Sequence, residues 1–188
     1  MSVNNFAYGL STRIAIKASA DLLVNHLDVE FANPNCPSNW TSANFLALDK
    51  FSPSGPALKR CHKRNENEFL WDYIATDDQQ GIYLVAESEK ATGSRDAESF
   101  PLRHDFEKLL YVFAPLHLML CKARDVRDAD RIAKILTEYG EGCCANFPSG
   151  SAFILYCRVF EGNNVSYSWQ AQGDPQPMAR GCVAFGGL

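Results

Sequence analysis

The chain has 188 residues, of which 46% are hydrophobic and 21% charged, a composition typical of a soluble globular protein with a single domain. The formal net charge of −4 excludes a globally basic surface, so any contact with nucleic acid has to come from a local patch. No early segment combines basic residues with a long apolar run. The sequence therefore predicts no signal peptide and no membrane association. The seven cysteines lack regular spacing, and we expect reduced thiols in a cytoplasmic protein.

The N-terminal region predicts helical structure. From Thr12 to Leu27, apolar residues recur at steps of three and four, which indicates an amphipathic helix of about four turns. Turn-forming residues at 32–38 end it. The next segment, Trp40–Phe51, fits a short helix or a strand equally well. Residues 52–56, with the sequence SPSGP, form a clear break before the rest of the domain.

A basic segment, LKRCHKRNE, follows that break and precedes the first strand. A cluster of positive charges is often only a solvated surface. Its position beside acidic strand ends also makes it a candidate for contacting the phosphates of a nucleic acid. The residues predicted to make such contacts are Lys59, Arg60, Lys63 and Arg64.

Two apolar runs at the centre of the sequence predict a β-hairpin. Phe69–Ala75 and Ile82–Ala86 are rich in aromatic and β-branched residues, and the polar segment 76–81 joins them. Side chains alternate between the two faces of a strand. Glu68 and Asp72 therefore share one face of the first strand, although roughly 13 Å apart along it. Trp71, on the alternate face, is expected to belong to the core.

The second strand of the hairpin carries further acids, Glu87 and Glu89, on the face that also holds Val85. A short connecting loop places Asp72 opposite Val85 or Glu87, so three carboxylates converge. Each pair of such charges repels by about 4 kcal/mol at 4 Å and an effective dielectric constant of 20. A hard divalent cation, protonation of one acid, or solvent exposure at the strand ends would each relieve that repulsion.

The second half of the chain predicts alternating helices and strands. Leu102–Phe113 has an apolar helical stripe, with Asp105 and Lys108 one turn apart on the neighbouring face. The short apolar run that follows it, up to Cys121, is expected to form a buried strand parallel to the strand that carries Glu87. The remaining expected elements are a helix over Asp125–Tyr139, strands over Ser151–Phe160 and Val165–Ala171, and a final short strand over Cys182–Phe185.

These elements predict an α/β (α+β) fold with a central mixed sheet flanked by helices. An acid-bearing hairpin followed by a helix and a parallel strand resembles the PD-(D/E)xK nuclease superfamily. More narrowly, the motifs EFLWDY, LVAESE and DFEKLL are similar to those of a group of small uncharacterised bacterial proteins assigned to it. The resemblance implies a restriction-endonuclease-like fold in one domain, 1–188. Its nuclease-like core covers about 58–160, with an N-terminal helical region and a C-terminal β extension.

The resemblance also assigns roles to individual residues. Asp72 matches the Asp of the first motif, Glu87 the acid of the (D/E)xK motif, and Glu89 its third position, where lysine is more common. Lys108 is then the candidate for the missing cation, since Lys90 would point to the opposite face of its strand. Glu68 and Asp105 are candidates for supporting the site from just outside it.

The activity implied is a metal-dependent phosphodiester hydrolase of a prokaryote, in which Mg²⁺ or Mn²⁺ bound by Asp72, Glu87 and Glu89 activates a water molecule. Its expected partner is nucleic acid, with DNA preferred, and a homodimer or a protein partner is left open. The alternative is a catalytically inactive relative of the nuclease fold that serves as a binding or interaction module. A weaker third option is an acid–base hydrolase that uses Glu87 and Asp72 without metal.

Overall fold

The computed structural model describes residues 10–51, 58–60, 71–77, 81–92, 100–141, 151–160 and 163–170. These residues form four helices, which are α1 (Leu10–Ala32), α2 (Trp40–Lys50), α3 (Phe100–Leu110) and α4 (Val126–Glu141). They also form six strands, which are β1 (Lys59–Arg60), β2 (Tyr73–Thr76), β3 (Ile82–Thr92), β4 (Leu116–Ala123), β5 (Ala152–Val159) and β6 (Val165–Gln170).

The six strands make one mixed sheet in which spatial order follows chain order, β1 to β6. Strands β1, β2 and β3 are antiparallel neighbours, β3, β4 and β5 run parallel, and β6 is antiparallel to β5. Helix α3 is the crossover between β3 and β4, and α4 the crossover between β4 and β5. The chain is therefore a mixed α/β protein. The predicted parallel pairing of β4 with the Glu87 strand, through a crossover helix, is confirmed.

A separate hydrophobic core lies on each face of the sheet. Alternate residues such as Val85 and Met119 pack with the apolar stripes of α3 and α4. The residues between them, such as Leu84 and Leu118, pack with α1 and α2. The central strands are buried on both sides, which explains why β4 and β5 are almost continuously apolar instead of alternating.

Side-chain caps fix the starts of two helices. The side chain of Asn39 accepts a hydrogen bond from the backbone amide of Ser42 at 3.0 Å, so the ambiguous segment that starts at Trp40 is helical. At the start of α4, Asp125 accepts from the amide of Asp128 at 2.8 Å, and Asp128 accepts from the amide of Arg124 at 3.0 Å. Asp125 and Asp128 thus resemble a capping arrangement, as the sequence predicted, although Asp128 bonds the amide of Arg124 instead of that of Asp125.

The first strand of the hairpin differs from its prediction. Strand β2 begins only at Tyr73, and Trp71 and Asp72 precede it in a bend. Strand alternation therefore does not apply to Trp71, which packs against the core on the α3 side, whereas Tyr73 packs on the α1 side. The prediction of its face was therefore wrong: Trp71 is partly buried on the α3 side of the sheet, not on the side of Tyr73. The final strand expected at Cys182–Phe185 lies outside the described residues, and so does Glu68. Among the helices described, none has the length and apolar character needed to cross a membrane.

Candidate functional site

Glu87 is a charged residue buried inside the sheet. It lies in the middle of β3, beside Met119 of β4, and its side chain is only 1% exposed. Its face of the strand is the one that Val85 shares, so the carboxylate points toward α3. Burying an isolated carboxylate is very unfavourable, so a partner for it is expected.

Lys108 of α3 is that partner. Its Nζ atom lies 2.7 Å from Oε1 of Glu87 and 2.8 Å from Oδ1 of Asp105, which precedes it by one helical turn. The Lys108 and Asp105 side chains are about one-fifth exposed, so the group opens toward solvent on one side. The structure thus brings together the strand acid, the helix lysine and the supporting helix acid named from the sequence.

The end of α3 is held in place by two side chains of neighbouring segments. The last carbonyl groups of a helix lack partners within the helix. Here the indole Nε1 of Trp71 donates a hydrogen bond to the carbonyl oxygen of Lys108 at 3.1 Å. Nδ1 of His117 lies 2.8 Å from the carbonyl oxygen of Leu109. These contacts fix the turn from which the Lys108 side chain extends, so they position its ammonium group against Glu87.

Asp72 lies near this group, in the bend just before β2. The residue after it, Tyr73, pairs with Ala86 of β3, and the charge of Asp72 acts on the neighbouring Glu87. Asp72 is exposed, and its Oδ2 accepts a hydrogen bond from the amide of Ser88 at 2.9 Å. That contact ties the bend before β2 to the edge of β3.

Glu89 is half-buried, two residues beyond Glu87 on the same strand face. Its Oε1 accepts a hydrogen bond from the backbone amide of Lys90 at 2.7 Å. The side chain of Lys90 is exposed, as expected if alternation turns it away from the acids.

The electrostatics of the site reflect burial and crowding of negative charge. Burial raises the pKa of Glu87 to about 8; the contact with Lys108 opposes this rise, while Asp72 and Asp105 add to it. Burial also raises the pKa of Glu89, with smaller contributions from Asp105 and Asp72. For Lys108, burial favours the neutral amine, but the bonds to Asp105 and Glu87 outweigh it and raise the pKa. The site therefore favours cations and holds a proton readily on Glu87.

The residue types at the site, although not their present arrangement, suit a hard divalent cation. Carboxylate oxygens are the ligands that Mg²⁺ and Mn²⁺ prefer. The buried Oε1 of Glu87 forms an ion pair with Lys108. It accepts no other hydrogen bond from the described residues. Within the same residues, no three His, Cys, Asp or Glu side chains form a group that could hold a metal ion. Asp72 and Glu89 are turned toward backbone amides instead.

The residues of the predicted basic segment lie in different environments. Arg60 forms an ion pair with Asp49 at 3.0 Å and stacks on the rings of Phe45 and Tyr73, at 4.6 and 5.5 Å. This guanidinium is already neutralised and packed. Lys59 is exposed on the edge strand β1, whereas Lys63 and Arg64 lie outside the described residues. Phosphate binding by this segment stays a prediction.

Sequence reasoning missed the two anchors of α3. Nothing in the spacing of Trp71 indicates that its indole would reach a helix end, because the bend that turns it has no sequence signature. His117 did carry a signal. A lone polar ring inside an apolar strand must find partners when buried, and helix-end carbonyls are suitable acceptors.

Comparisons with protein-family models, with curated proteins and with solved structures found no match to this chain. Its function is therefore inferred from its own residues.

Proposed function

We propose that this protein is a metal-dependent nuclease that hydrolyses phosphodiester bonds, with DNA as the expected substrate. The observation that carries the proposal is the contact between the buried Glu87 carboxylate and the ammonium of Lys108 at 2.7 Å. If a lysine of the crossover helix replaces the lysine that is missing from the (D/E)xK motif, it is expected to contact the acid of that motif on the central strand.

Each residue has a defined part in the proposed chemistry. Asp72, in the bend before β2, and Glu87, on β3, would hold Mg²⁺ or Mn²⁺. When bound, such an ion makes a water molecule more acidic and stabilises negative charge on phosphate oxygens. Lys108 offers its ammonium to the negative charge that develops at phosphorus, and Asp105 fixes that ammonium in position. Glu89, with its raised pKa, accepts a proton from the attacking water.

The topology supports the same proposal. A restriction-endonuclease-like fold is expected to place an acid-bearing hairpin before a helix and a parallel strand. The chain has this order in β2, β3, α3 and β4, with Glu87 on the hairpin strand that pairs with β4. The proposed nuclease-like core over about 58–160 contains all four elements.

The second candidate is a catalytically inactive member of the same fold that binds nucleic acid or protein. Two observations favour it. The ammonium of Lys108 already compensates Glu87 without metal, and the described residues hold no group of three metal-binding side chains. In this case, Glu87 and Lys108 form a structural ion pair.

A cleavage assay separates the two candidates. Single-stranded DNA, double-stranded DNA and RNA are incubated in Mn²⁺ with the wild type and with Glu87→Gln, which keeps the shape of the side chain. The nuclease proposal expects cleavage by the wild type and a loss of at least about 100-fold in the variant, the scale for loss of an electrostatic stabiliser. Equal cleavage by both proteins, or none of any substrate by the wild type, would overturn it.

A further inference from the structure

A second charged site lies on the opposite face of the sheet from Glu87. Lys122 at the end of β4 and Arg158 at the end of β5 are neighbours in the parallel register. They share the strand face of Leu118 and Ile154, which packs against α1 and α2. Both cations therefore stand near the carboxyl ends of two parallel strands.

These cations line a cleft of about 280 Å³ together with three aromatic residues, Phe31, Trp40 and Phe160, and with Ser38, Val159 and Asn164. Nζ of Lys122 lies 5.1 Å from the ring centre of Trp40 and 5.3 Å from that of Phe160. The guanidinium of Arg158 lies 4.3 Å from the ring of Phe31. A guanidinium stacked on a ring keeps its in-plane N–H groups available for a planar contact with an anion.

The positive charge of the cleft is not neutralised within the described part of the chain, where neither Lys122 nor Arg158 forms an ion pair. Burial and the nearby charges of Arg158 and Lys90 lower the pKa of Lys122. The start of α2 adds to the field, because Ser38 and Trp40 line the cleft and the positive end of a helix dipole favours anions.

An exposed ring lies beside the two cations. Phe160 directly follows β5 and is 66% exposed, although its backbone amide is fixed by a 3.1 Å hydrogen bond to the carbonyl of Ala123. An exposed aromatic ring next to two cationic side chains is a combination with which proteins bind nucleotides, because the base stacks while the phosphate pairs. Trp40 adds a buried Nε1 that has no acceptor among the described residues.

We propose that this cleft binds a nucleotide unit, with its phosphate on Lys122 and Arg158 and its base stacked on Phe160. The unit is either a free nucleotide or part of a single-stranded nucleic acid. The site is separate from Glu87 and does not depend on the proposed nuclease activity.

The test measures binding without metal, in EDTA, so that the Glu87 site contributes no cleavage. A fluorescently labelled oligothymidylate of about ten nucleotides is titrated with protein in about 50 mM salt, and anisotropy gives the Kd. The variant Lys122→Gln/Arg158→Gln is compared with Lys134→Gln/Arg127→Gln. The control removes the same two charges from exposed positions of α4, on the other side of the sheet.

We expect Lys122→Gln/Arg158→Gln to weaken binding at least about 10-fold, and to reduce the slope of log K against log salt by about 0.7, because both cations contact a single phosphate. The control should bind like the wild type. Phe160→Ala should weaken binding about 5-fold or more, the effect of losing one stacked base. Binding is measured without cleavage, so failure of the nuclease proposal leaves this result unaffected.

Competition identifies the source of the nucleotide. Displacement of the oligonucleotide by AMP supports a free nucleotide, whereas displacement only by unlabelled oligonucleotide supports a single strand. The proposal fails if inorganic phosphate competes as well as AMP does, because the base then plays no part. It also fails if the control loses as much affinity as Lys122→Gln/Arg158→Gln, or if the wild type binds none of these probes.

Discussion

The carboxylate of Glu87 and the ammonium of Lys108 meet at 2.7 Å across the boundary between the sheet and helix α3. Their meeting depends on packing, because the two side chains come from elements that touch only once the crossover is complete. Trp71 and His117 then hold the end of the helix that carries the lysine. The candidate site is therefore built into the core on this face of the sheet, and its charges affect stability as well as chemistry.

The first prediction concerns pH and Glu87. Its folded pKa of about 8 exceeds the ordinary value of 4.5, so between these values the folded state binds more protons than the unfolded state. Stability contributed by this group is complete below about pH 4.5 and is lost as pH rises toward 8. We expect the wild type to lose on the order of 3–5 kcal/mol of unfolding free energy from this group across that window. Urea denaturation at several pH values measures it.

The control for that prediction is Glu87→Gln, which cannot titrate. Subtracting its pH profile from that of the wild type isolates the contribution of Glu87 from those of all other groups. A difference that stays flat from pH 4.5 to 8 would show that the Glu87 carboxyl titrates normally in the folded protein.

The second prediction concerns His117, which is fully buried and lies 2.8 Å from the carbonyl oxygens of both Leu109 and Ala114. We expect His117→Leu to lower the unfolding free energy by about 2–4 kcal/mol, because one of these two buried carbonyls loses the N–H of the neutral ring as its donor. Ser151→Ala is the matched control. It removes the 2.7 Å hydrogen bond from Ser151 to the carbonyl of Ala114 and should cost less. Equal losses in the two variants would contradict the role given to His117.

His117 should also affect acid stability, with the opposite sign to Glu87. Burial lowers its pKa from 6.5 to about 4, although its carbonyl contacts favour the charged form. Between these values the unfolded state binds more protons, so stability from the neutral ring is present above about pH 6.5 and lost as pH falls through 4. Denaturation curves of His117→Leu should lack this loss, whereas those of Ser151→Ala should retain it.

The sequence predicted the part of the fold that follows from periodicity and from local capping. The crossover helix, the parallel strand β4 and the cap at Asp125 appear because each depends on residues close together in the chain. The restriction-endonuclease-like assignment remains a proposal. Alternation correctly placed Glu87 on the strand face that Val85 shares, because strand parity is a local property, whereas Asp72 lies in a bend to which parity does not apply.

What could not be predicted depends on bends and side-chain conformations. Strand β2 starts four residues later than its apolar run does, so Trp71 turns to the other face and reaches the carbonyl of Lys108. Its apolar character alone could not reveal this, because either face would bury it. Likewise, the sequence could not predict that Lys122 and Arg158 are neighbours. They lie on separate strands, and only the register of β4 with β5 brings them together.

The third prediction concerns metal binding. If Asp72 and Glu87 hold a divalent cation, Mn²⁺ should raise the Tm of the wild type and leave that of Glu87→Gln unchanged, because only the folded state offers the site. The shift should be larger at pH 9 than at pH 6.5, since binding requires an ionised Glu87 whose pKa is about 8. Asp49→Asn is a suitable control, because Asp49 pairs with Arg60 away from the site. A Tm shift of equal size in wild type and Glu87→Gln would place the ion elsewhere.

The last prediction separates the two lysines that could serve the acidic site. Lys90 is nearer to Glu87 and Glu89 in sequence, but its side chain is exposed, whereas Lys108 contacts Glu87 directly. We expect Lys108→Ala to abolish cleavage of oligonucleotides in Mn²⁺ and Lys90→Ala to retain it. The fold should survive Lys108→Ala at neutral pH, because Glu87 with its pKa of about 8 is largely protonated there and loss of the ammonium leaves little uncompensated charge. Circular dichroism checks the fold of both variants. Normal cleavage by Lys108→Ala beside an inactive Glu87→Ala would remove Lys108 from the mechanism, and loss of cleavage in Lys90→Ala alone would assign its role to Lys90.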